Sequence, residues 1–336
     1  MLISGRYNFL KATANGGYVT NANGYDIGFY SDAGLTSKLN WETELYTATT
    51  GQVIYWVQIP TLSASVDTTI YLAYGDSTIT TFQSVANRVW DSNYQGVWHL
   101  PDGTSLTAND STANAQNLTI TSATAAAGQI DGAAAFSGST QYISKNSYTT
   151  ATSTFTISSW VYWTSGNLYA WSMGNDAVGG KFFPLLTHGV GTGSTNHFHF
   201  EMGSGTNIIN STTVPVTNTW YHVVITADAT TFTMYINGAS EGTVAQGTSA
   251  LTTGYPISLG SYVNPAYNIF NNYWIGSLDN FYQTSNTKSA DWVKAEYNNQ
   301  SAPATFYNIG NGVGIENGNY KNVTVGDGMS TTGGTS

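Results

Sequence analysis

The chain lacks cysteine, has few charged residues and contains no long apolar run. With no cysteine among its 336 residues, neither a disulfide nor a thiolate metal site is available. Nine lysines and arginines stand against 19 aspartates and glutamates, which gives a net charge of −10. So few cations cannot neutralise a phosphate backbone, and we expect neither nucleic acid nor an anionic membrane surface as a partner. No apolar run approaches the roughly 20 residues that span a bilayer, so we expect no membrane insertion.

Hydroxyl and amide side chains replace the missing charges. Charged residues make up 8% of the chain, whereas an average soluble protein carries about 25%. Aromatic residues reach 14%, and they favour strands. A surface solvated by Ser, Thr, Asn and Gly is typical of secreted β proteins and of fibres on virions or cells. This association is a correlation, and it favours an extracellular or surface β protein.

One stretch in the second half of the chain predicts an antiparallel meander. Phe232, Met234 and Ile236 occupy alternate positions, which is the period of a strand with one buried face. Residues 220–227 form a β-branched and aromatic run just before it. The Asn-Gly pair at 237–238 supplies the positive φ angles of a type I′ hairpin turn.

Residues 1–94 are predicted to form a small β-sandwich. Runs of β-branched and aromatic residues between turn residues predict four strands, at 25–32, 41–46, 53–60 and 69–76. This part resembles a bacterial and phage domain of unknown function that usually precedes a laminin-G-like domain. The residues that carry the resemblance are 21–27, 56–60 and 71–76, together with Glu42 and Glu44.

The start of the chain departs from that family. Its members usually have a further strand before the segment at residues 2–5. The resemblance implies that the first strand is missing or that a partner supplies it. An unpaired sheet edge left by the gap would be a site for β-augmentation.

Residues 95–307 are predicted to form a second, larger sandwich. Several segments follow the order of a laminin-G-like, or concanavalin A-like, jelly roll, which this part resembles: 95–100, 110–119, 130–138, 155–163, 220–238 and 274–282. The resemblance implies an all-β protein of two β-sandwiches, and it suggests a glycan-binding role. One helix is predicted near residues 289–299, with Ser289 as its N-cap. Residues 308–336 are rich in Gly, Asn and Thr and predict a linker or tail.

No pattern supports catalysis. A jelly-roll glycoside hydrolase needs two carboxylates at roughly 5 to 9 Å across a sugar bond, and the chain has no Glu-x-Asp-x-x-Glu strand. Glu42 and Glu44 would share one face of an extended segment, but a pair that keeps an edge strand soluble is the simpler interpretation. No Gly-x-Ser-x-Gly elbow leads into a helix. We predict no enzymatic activity, with glycoside hydrolysis as the less favoured alternative.

Three polar residues alternate along one predicted strand. His197, His199 and Glu201 would project from one face while Phe198 and Phe200 enter the core. Two imidazoles and a carboxylate suit a transition metal. A polar strand that faces a sugar is favoured over the metal, although the outward face of any sandwich shows similar residues.

A structural calcium ion is a second metal hypothesis, and it comes from the resemblance. Jelly rolls of this kind often hold one Ca²⁺ with a carboxylate of a late strand and an early aspartate. The matching positions here are Asp279 and Asp110, with Asp131 as a weaker candidate. Calcium takes six to eight oxygen ligands, and the alternative is that Asp279 ends a strand and Asp110 forms an Asx turn.

Aromatic and amide side chains in predicted loops are candidates for sugar contact. Sugars present apolar C–H faces and polar rims, so their sites combine flat rings with hydrogen-bonding groups. The candidate carbohydrate-binding residues are Tyr169, Trp171, Asn175, His197, His199, Tyr262, Tyr267 and Asn271.

The jelly-roll resemblance, the absent catalytic pairs and the loops rich in Tyr and Asn predict a non-catalytic carbohydrate-binding or adhesion module. The resemblance to a two-domain arrangement of phage and bacterial surface proteins implies an extracellular place on a virion, as a phage decoration or fibre protein, or on a bacterial surface. The expected partners are a glycan or cell-surface polysaccharide and other subunits of the assembly. A purely structural subunit without a ligand is the alternative.

Overall fold

A computed structural model describes residues 1–63, 65–101, 105–148, 152–174, 184–190, 195–202, 207–264, 269–310, 313–315 and 318–325. The chain divides into two compact units. Unit 1 consists of Met1–Asp91 and Ala295–Ser336, and unit 2 consists of Ser92–Lys294. Both are built from β-sheets with apolar faces turned inward, so the predicted all-β class is confirmed.

The strands are numbered along the chain. The first five, β1–β5, are Leu2–Arg6, Gly28–Tyr30, Trp41–Thr47, Gln52–Val57 and Thr68–Tyr74. Strands β6–β22 are Tyr94–Trp98, Thr119–Thr121, Thr124–Ala127, Gly132–Ser137, Tyr142–Lys145, Thr154–Trp163, Leu168–Met173, Leu185–His188, Phe198–Met202, Asn207–Asn210, Thr219–Asp228, Thr231–Ile236, Ala239–Ala245, Ile257–Leu259, Tyr262–Asn264, Ile269–Asn271 and Ile275–Thr284. The last three, β23–β25, are Tyr307–Ile309, Val313–Ile315 and Gly318–Val325.

Helices are few in the described residues. The α-helices are α1, Ala290–Ser301, and α2, Pro303–Phe306. Single 3-10 turns are formed by Asn8–Leu10, Thr13–Asn15 and Ala86–Arg88.

Unit 1 packs two sheets around one core. A three-stranded sheet has the order β1-β4-β3, and a five-stranded sheet has the order β2-β5-β25-β23 with β24 paired to β25. Trp41 and Tyr55 from the first sheet meet Phe29 and Leu72 from the second in the core. The buried positions of β5 alternate with half-buried ones, as its period-two pattern predicts.

The segment predicted as a linker or tail is partly built into unit 1. Strand β25 pairs antiparallel with β5 from Asn319 opposite Tyr74 to Val325 opposite Thr68, and β23 pairs with β25. The prediction of a linker over residues 308–336 is therefore wrong for these strands. The β-branched residues at 323–325 could have signalled a strand, but the surrounding Gly and Asn residues hide so short a run.

Side chains cap the edge strand β1. Asn299 accepts the Leu2 N–H through Oδ1 at 2.7 Å and donates from Nδ2 to the Leu2 carbonyl at 2.9 Å. The Tyr307 hydroxyl accepts the Ser4 N–H and donates to the Ser4 carbonyl, each at 2.9 Å. Both capping side chains are buried. The predicted open edge for β-augmentation is therefore wrong at Leu2 and Ser4, because their backbone groups are already satisfied.

Unit 2 is a larger sandwich. Its seven-stranded sheet has the order β15-β14-β13-β12-β19-β10-β7. Its eight-stranded sheet has the order β18-β17-β16-β11-β22-β9-β8, with β6 paired to β22. Leu186 and Phe200 of the first sheet and Ile157, Ile225 and Leu278 of the second are buried in one core. Each sheet therefore has one face toward this core and one outer face.

Two local predictions are confirmed in unit 2. Asn237 and Gly238 have φ angles of 51° and 77° between β17 and β18, as a type I′ turn requires. Helix α1 begins after Ser289, whose Oγ accepts the Trp292 N–H at 3.2 Å. Val293 is buried against the outer face of the eight-stranded sheet, which fixes the start of the helix on unit 2.

Candidate functional site

The outer face of the seven-stranded sheet carries a row of polar side chains. Tyr169, Thr187, His199 and Asn210 are paired across the four strands β12 to β15. The neighbouring row, which includes Leu186, lies in the core. Because successive side chains of a strand point to opposite faces, the row with Tyr169 faces away from the core.

Tyr169 and Tyr262 meet on this face. Their ring centroids lie 5.2 Å apart at an interplanar angle of 56°, and both side chains are half-buried. Burial raises the pKa of the Tyr169 phenol, and the negative charge of Glu201 raises it further. The phenol therefore keeps its proton at neutral pH and can both donate and accept a hydrogen bond.

Buried serines position the hairpin that carries Tyr262. This hairpin pairs β20 with β21. Ser172 Oγ on β12 accepts the Val263 N–H at 3.0 Å and donates to the Ser261 carbonyl at 3.1 Å. Ser258 Oγ lies 2.7 Å from Ser261 Oγ, and all three serines are buried. These bonds tie the hairpin to the sheet beneath it and set the place of Tyr262.

A second aromatic group lies at the other side of the hairpin. The rings of Tyr142 and Phe270 are stacked at 4.0 Å with an interplanar angle of 6°, and Tyr273 lies 6.3 Å from Tyr142. Sequence reasoning did not name Tyr142 or Phe270 as site residues. The alternation of Tyr142 with the buried Ile143 is the signal that could have placed Tyr142 on the outer face.

His199 does not face a ligand. It is fully buried, its Nδ1 lies 2.7 Å from Asn210 Oδ1, and its Nε2 lies 3.4 Å from Glu201 Oε2. The prediction of His199 as a sugar contact is therefore corrected: burial removes it from solvent, and it instead holds Asn210 and the half-buried Glu201 in place.

Contrary to the prediction, His197 does not lie in the strand with His199 and Glu201. It is half-buried and precedes β14, close enough to His188 for an electrostatic interaction. Burial lowers the pKa of His188, a hydrogen bond to the Gly166 carbonyl opposes this, and the charge of His197 lowers it further. In the part of the chain that the structure describes, no three His, Asp or Glu side chains converge as metal ligands, so the transition-metal hypothesis for His197, His199 and Glu201 is not supported.

The remaining sugar candidates separate into three groups. Trp171 is 1% exposed and packs in the core, so its assignment to a sugar site is wrong. Asn271 is exposed and pairs with Tyr262 in the hairpin, which places it beside the tyrosine pair. Asn175 and Tyr267 lie outside the described residues.

Asp279 and Asp110 are bound by the chain's own donors. Asp279 is fully buried and accepts the N–H groups of Gln129 at 2.8 Å and Ile130 at 3.1 Å. Asp110 accepts the N–H of Val97 at 3.0 Å and three further bonds, from the N–H and hydroxyl of Thr112 and the N–H of Gln116. The chain's own donors therefore already occupy carboxylate oxygens that a calcium ion would need as ligands.

We expect Asp279→Ala to destabilise unit 2 whether or not calcium is present. The substitution leaves the N–H groups of Gln129 and Ile130 without their acceptor, at a cost of about 2–4 kcal/mol. Thermal unfolding of both proteins in calcium and in chelator checks this. A calcium-dependent rise in the midpoint of the parent protein that is absent from Asp279→Ala would instead establish the metal.

The carboxylate pair of unit 1 is held by tryptophans. Trp90 Nε1 donates to Glu42 at 2.9 Å and Trp56 Nε1 donates to Glu44 at 2.6 Å. Glu42 is buried, so the interpretation of a solvent-facing edge pair is wrong for it. The two carboxylates instead anchor indole rings that lie 5.7 Å apart.

The packed sheets of unit 2 define a jelly-roll β-sandwich. Residues 136–294 match the sequence model of the concanavalin A-like lectin/glucanases superfamily, and residues 23–100 match that of a domain of unknown function, DUF2341. The chain thus carries a concanavalin A-like domain preceded by this second domain, which is the predicted arrangement.

Several solved structures are similar to parts of the chain at low sequence identity. Domain 4 of the extracellular arabinanase AbnA from Geobacillus stearothermophilus, solved with arabinotriose, is 18% identical over 60% of this chain and 97% of its own length, with a TM-score of 0.48. The binding domain of Paraclostridial Mosquitocidal Protein 1 is 17% identical over 66% of this chain, with a TM-score of 0.49. The chain spans 54% of that domain. A pentraxin from Limulus polyphemus is 14% identical over 48% of this chain and 80% of its own, with a TM-score of 0.40.

Curated proteins gave no match to the chain. Among the described residues, no helix combines the length and the apolar character needed to cross a membrane.

Proposed function

We propose that unit 2 is a non-catalytic glycan-binding module whose binding surface is the outer face of the seven-stranded sheet beside the β20–β21 hairpin. The observation that carries the proposal is the pair of half-buried rings, Tyr169 and Tyr262, 5.2 Å apart. The exposed Asn271 and the carboxylate of Glu201 lie on the same side of the sheet.

The chemistry of this surface suits a sugar ring. The tyrosine faces offer apolar contact to sugar C–H groups, while the phenols, the amide and the carboxylate offer hydrogen bonds to hydroxyls. The serine bonds that fix the hairpin reduce the entropy lost when a ligand orders its site. The surface is therefore organised before the ligand arrives.

The same face argues against hydrolysis. Glycoside hydrolases use two carboxylates, and Glu201 is the single carboxylate within the seven strands of this sheet. A Ser–His contact does exist on the other sheet, where Ser158 Oγ lies 2.9 Å from His222 Nε2. Both side chains are buried, 1% and 0% exposed, so a substrate has no access to them.

The module belongs, in this proposal, to an extracellular assembly on a virion or bacterial surface. Support comes from the low charge content of 8% and from a surface of hydroxyls and amides. A virion decoration or fibre protein that holds a host polysaccharide would need such a module and further subunits as partners.

A glycan array run in calcium and in chelator tests the proposal. Selective binding is expected from the parent chain, and Tyr169→Ala with Tyr262→Ala should weaken it at least tenfold, about 1.4 kcal/mol. Tyr162→Ala is the matched control, because Tyr162 forms a similar ring pair with Trp220, at 5.2 Å, on the eight-stranded sheet. If the parent chain binds no glycan on the array in either buffer, the proposal is refuted and a structural subunit without a ligand is favoured.

A further inference from the structure

Tyr18 of unit 1 is held out in solvent. Its side chain is 58% exposed, although the residues next to it are closely packed. Val19, the following residue, is fully buried. Gly17, the preceding residue, has no room for a side chain, because a Cβ at this position would collide with the Lys11 carbonyl. The exposure of Tyr18 is therefore built into the local fold.

Hydrogen bonds on both sides fix the backbone at Tyr18. Its N–H donates to the Phe9 carbonyl at 3.1 Å, the Val19 N–H donates to the Lys11 carbonyl at 3.1 Å, and the Thr13 N–H donates to the Val19 carbonyl at 2.9 Å. A ring on so constrained a segment loses little freedom when it contacts a ligand.

Tyr18 ends a row of aromatic rings. Tyr7 lies 5.5 Å from Phe9, Phe9 lies 5.2 Å from Tyr74, and Tyr74 lies 6.4 Å from Tyr18. Tyr74 is buried, whereas Tyr7 and Phe9 are half-buried. The row, which we name the aromatic strip, thus reaches the surface at Tyr7, Phe9 and Tyr18.

An ordered polar loop follows the strip. The buried Asp26 accepts the N–H and hydroxyl of Thr20 at 2.7 and 2.8 Å, the N–H of Asn21 at 3.1 Å and the N–H of Gly75 at 3.1 Å. These bonds tie the loop to the end of β5. The loop presents the exposed side chains of Thr20 and Asn23, a hydroxyl and an amide, to solvent.

We propose that the aromatic strip of unit 1 is a second saccharide-binding surface, which takes a polysaccharide chain across Tyr18 and the exposed parts of Tyr7 and Phe9. Flat rings beside amide and hydroxyl groups suit a sugar chain, whose C–H faces are apolar and whose rims are polar.

This second surface would add a binding site to the proposed function, and the choice of a saccharide as its ligand rests on that proposed function. A chain with one saccharide site in each unit gains avidity for a repeating polymer, because binding at one site raises the effective concentration at the other. A polymer should therefore bind more tightly than its short fragments.

Retardation in native gels that contain soluble arabinan, β-glucan, mannan or galactan tests the inference. We expect Tyr18→Ala to weaken retardation at least fivefold in a chain that already carries Tyr169→Ala and Tyr262→Ala. Tyr18→Phe should restore it, because the ring face remains. Val66→Ala is the control, since Val66 is an exposed apolar residue of unit 1, at 64%, outside both the strip and the polar loop.

The outcomes separate the two proposals. If Tyr18→Ala is retarded like the parent chain while the double variant of unit 2 is not retarded, the strip is excluded and the proposed function stands. If only Tyr18→Ala loses retardation, the strip stands and the site on unit 2 falls. Loss of retardation in Val66→Ala alone would overturn the strip, because the binding site would then lie elsewhere on unit 1. Absence of retardation of the parent chain in all four gels would overturn both proposals.

Discussion

A chain that ends at Ile309 is expected to lose the fold of unit 1 while unit 2 stays folded. The truncation removes β24 and β25, and β25 pairs with β5 through seven positions. Backbone hydrogen bonds contribute about 0.5–1.5 kcal/mol each. Their loss amounts to several kcal/mol, a large part of the roughly 5–15 kcal/mol by which a domain is stable.

The truncation would leave one edge of β5 without a neighbouring strand. Ile70 and Leu72 of β5 are core residues, and without β25 their strand becomes an unpaired edge next to the core. Thermal unfolding followed by circular dichroism and limited proteolysis should show early loss of unit 1 in the truncated chain. A chain that ends at Val325 keeps every described strand and is the control. Equal stability of the two chains would refute the role of β25.

The sequence predicted the fold where patterns were local and regular. The alternation of Phe232, Met234 and Ile236 and the Asn-Gly turn after them led to the observed meander, because period and turn chemistry agreed. The pairing of β25 with β5 joins segments about 250 positions apart, and a short strand in a Gly-rich segment gives no local sign of so distant a partner.

Edge capping could not be read from the sequence for the same reason. Asn299 satisfies both backbone groups of Leu2, but nothing in the residues around Asn299 indicates this partner. An asparagine in a helix is ordinarily a weak helix former. Only the fold shows that its amide replaces the neighbouring strand that the family resemblance led us to expect.

The candidate site was half predictable. Tyr169 and Tyr262 were named because both were assigned to loops rich in aromatic residues, and the fold brings their rings together. Trp171 was named with Tyr169 as part of the same loop, whereas both residues lie in strand β12. The register of β12 against β13 shifts between Tyr169 and Trp171, and this irregularity turns Trp171 into the core.

The buried histidine of the eight-stranded sheet should make the protein sensitive to acid. His222 is fully buried, with its Nε2 2.9 Å from Ser158 Oγ and its ring 5.1 Å from that of Trp160. Burial lowers the pKa of His222 to about 3, whereas an imidazole in the unfolded chain titrates near 6.5. Between these values the unfolded chain binds a proton that the folded chain does not. The free energy of unfolding is therefore independent of His222 above pH 6.5. Below pH 6.5 it falls by about 1.4 kcal/mol for each pH unit of acidification.

Replacement of the imidazole should remove this pH dependence of the free energy of unfolding. We expect urea unfolding of the parent chain between pH 7.5 and pH 4.5 to lose about 2–3 kcal/mol more than His222→Gln loses over the same range. Ser158→Ala is the control, because it deletes the hydrogen bond but leaves the imidazole buried, so the pH slope should persist. Parallel pH profiles of the parent chain and His222→Gln would show that His222 takes up a proton as readily in the folded chain as in the unfolded one, contrary to the expectation from its burial.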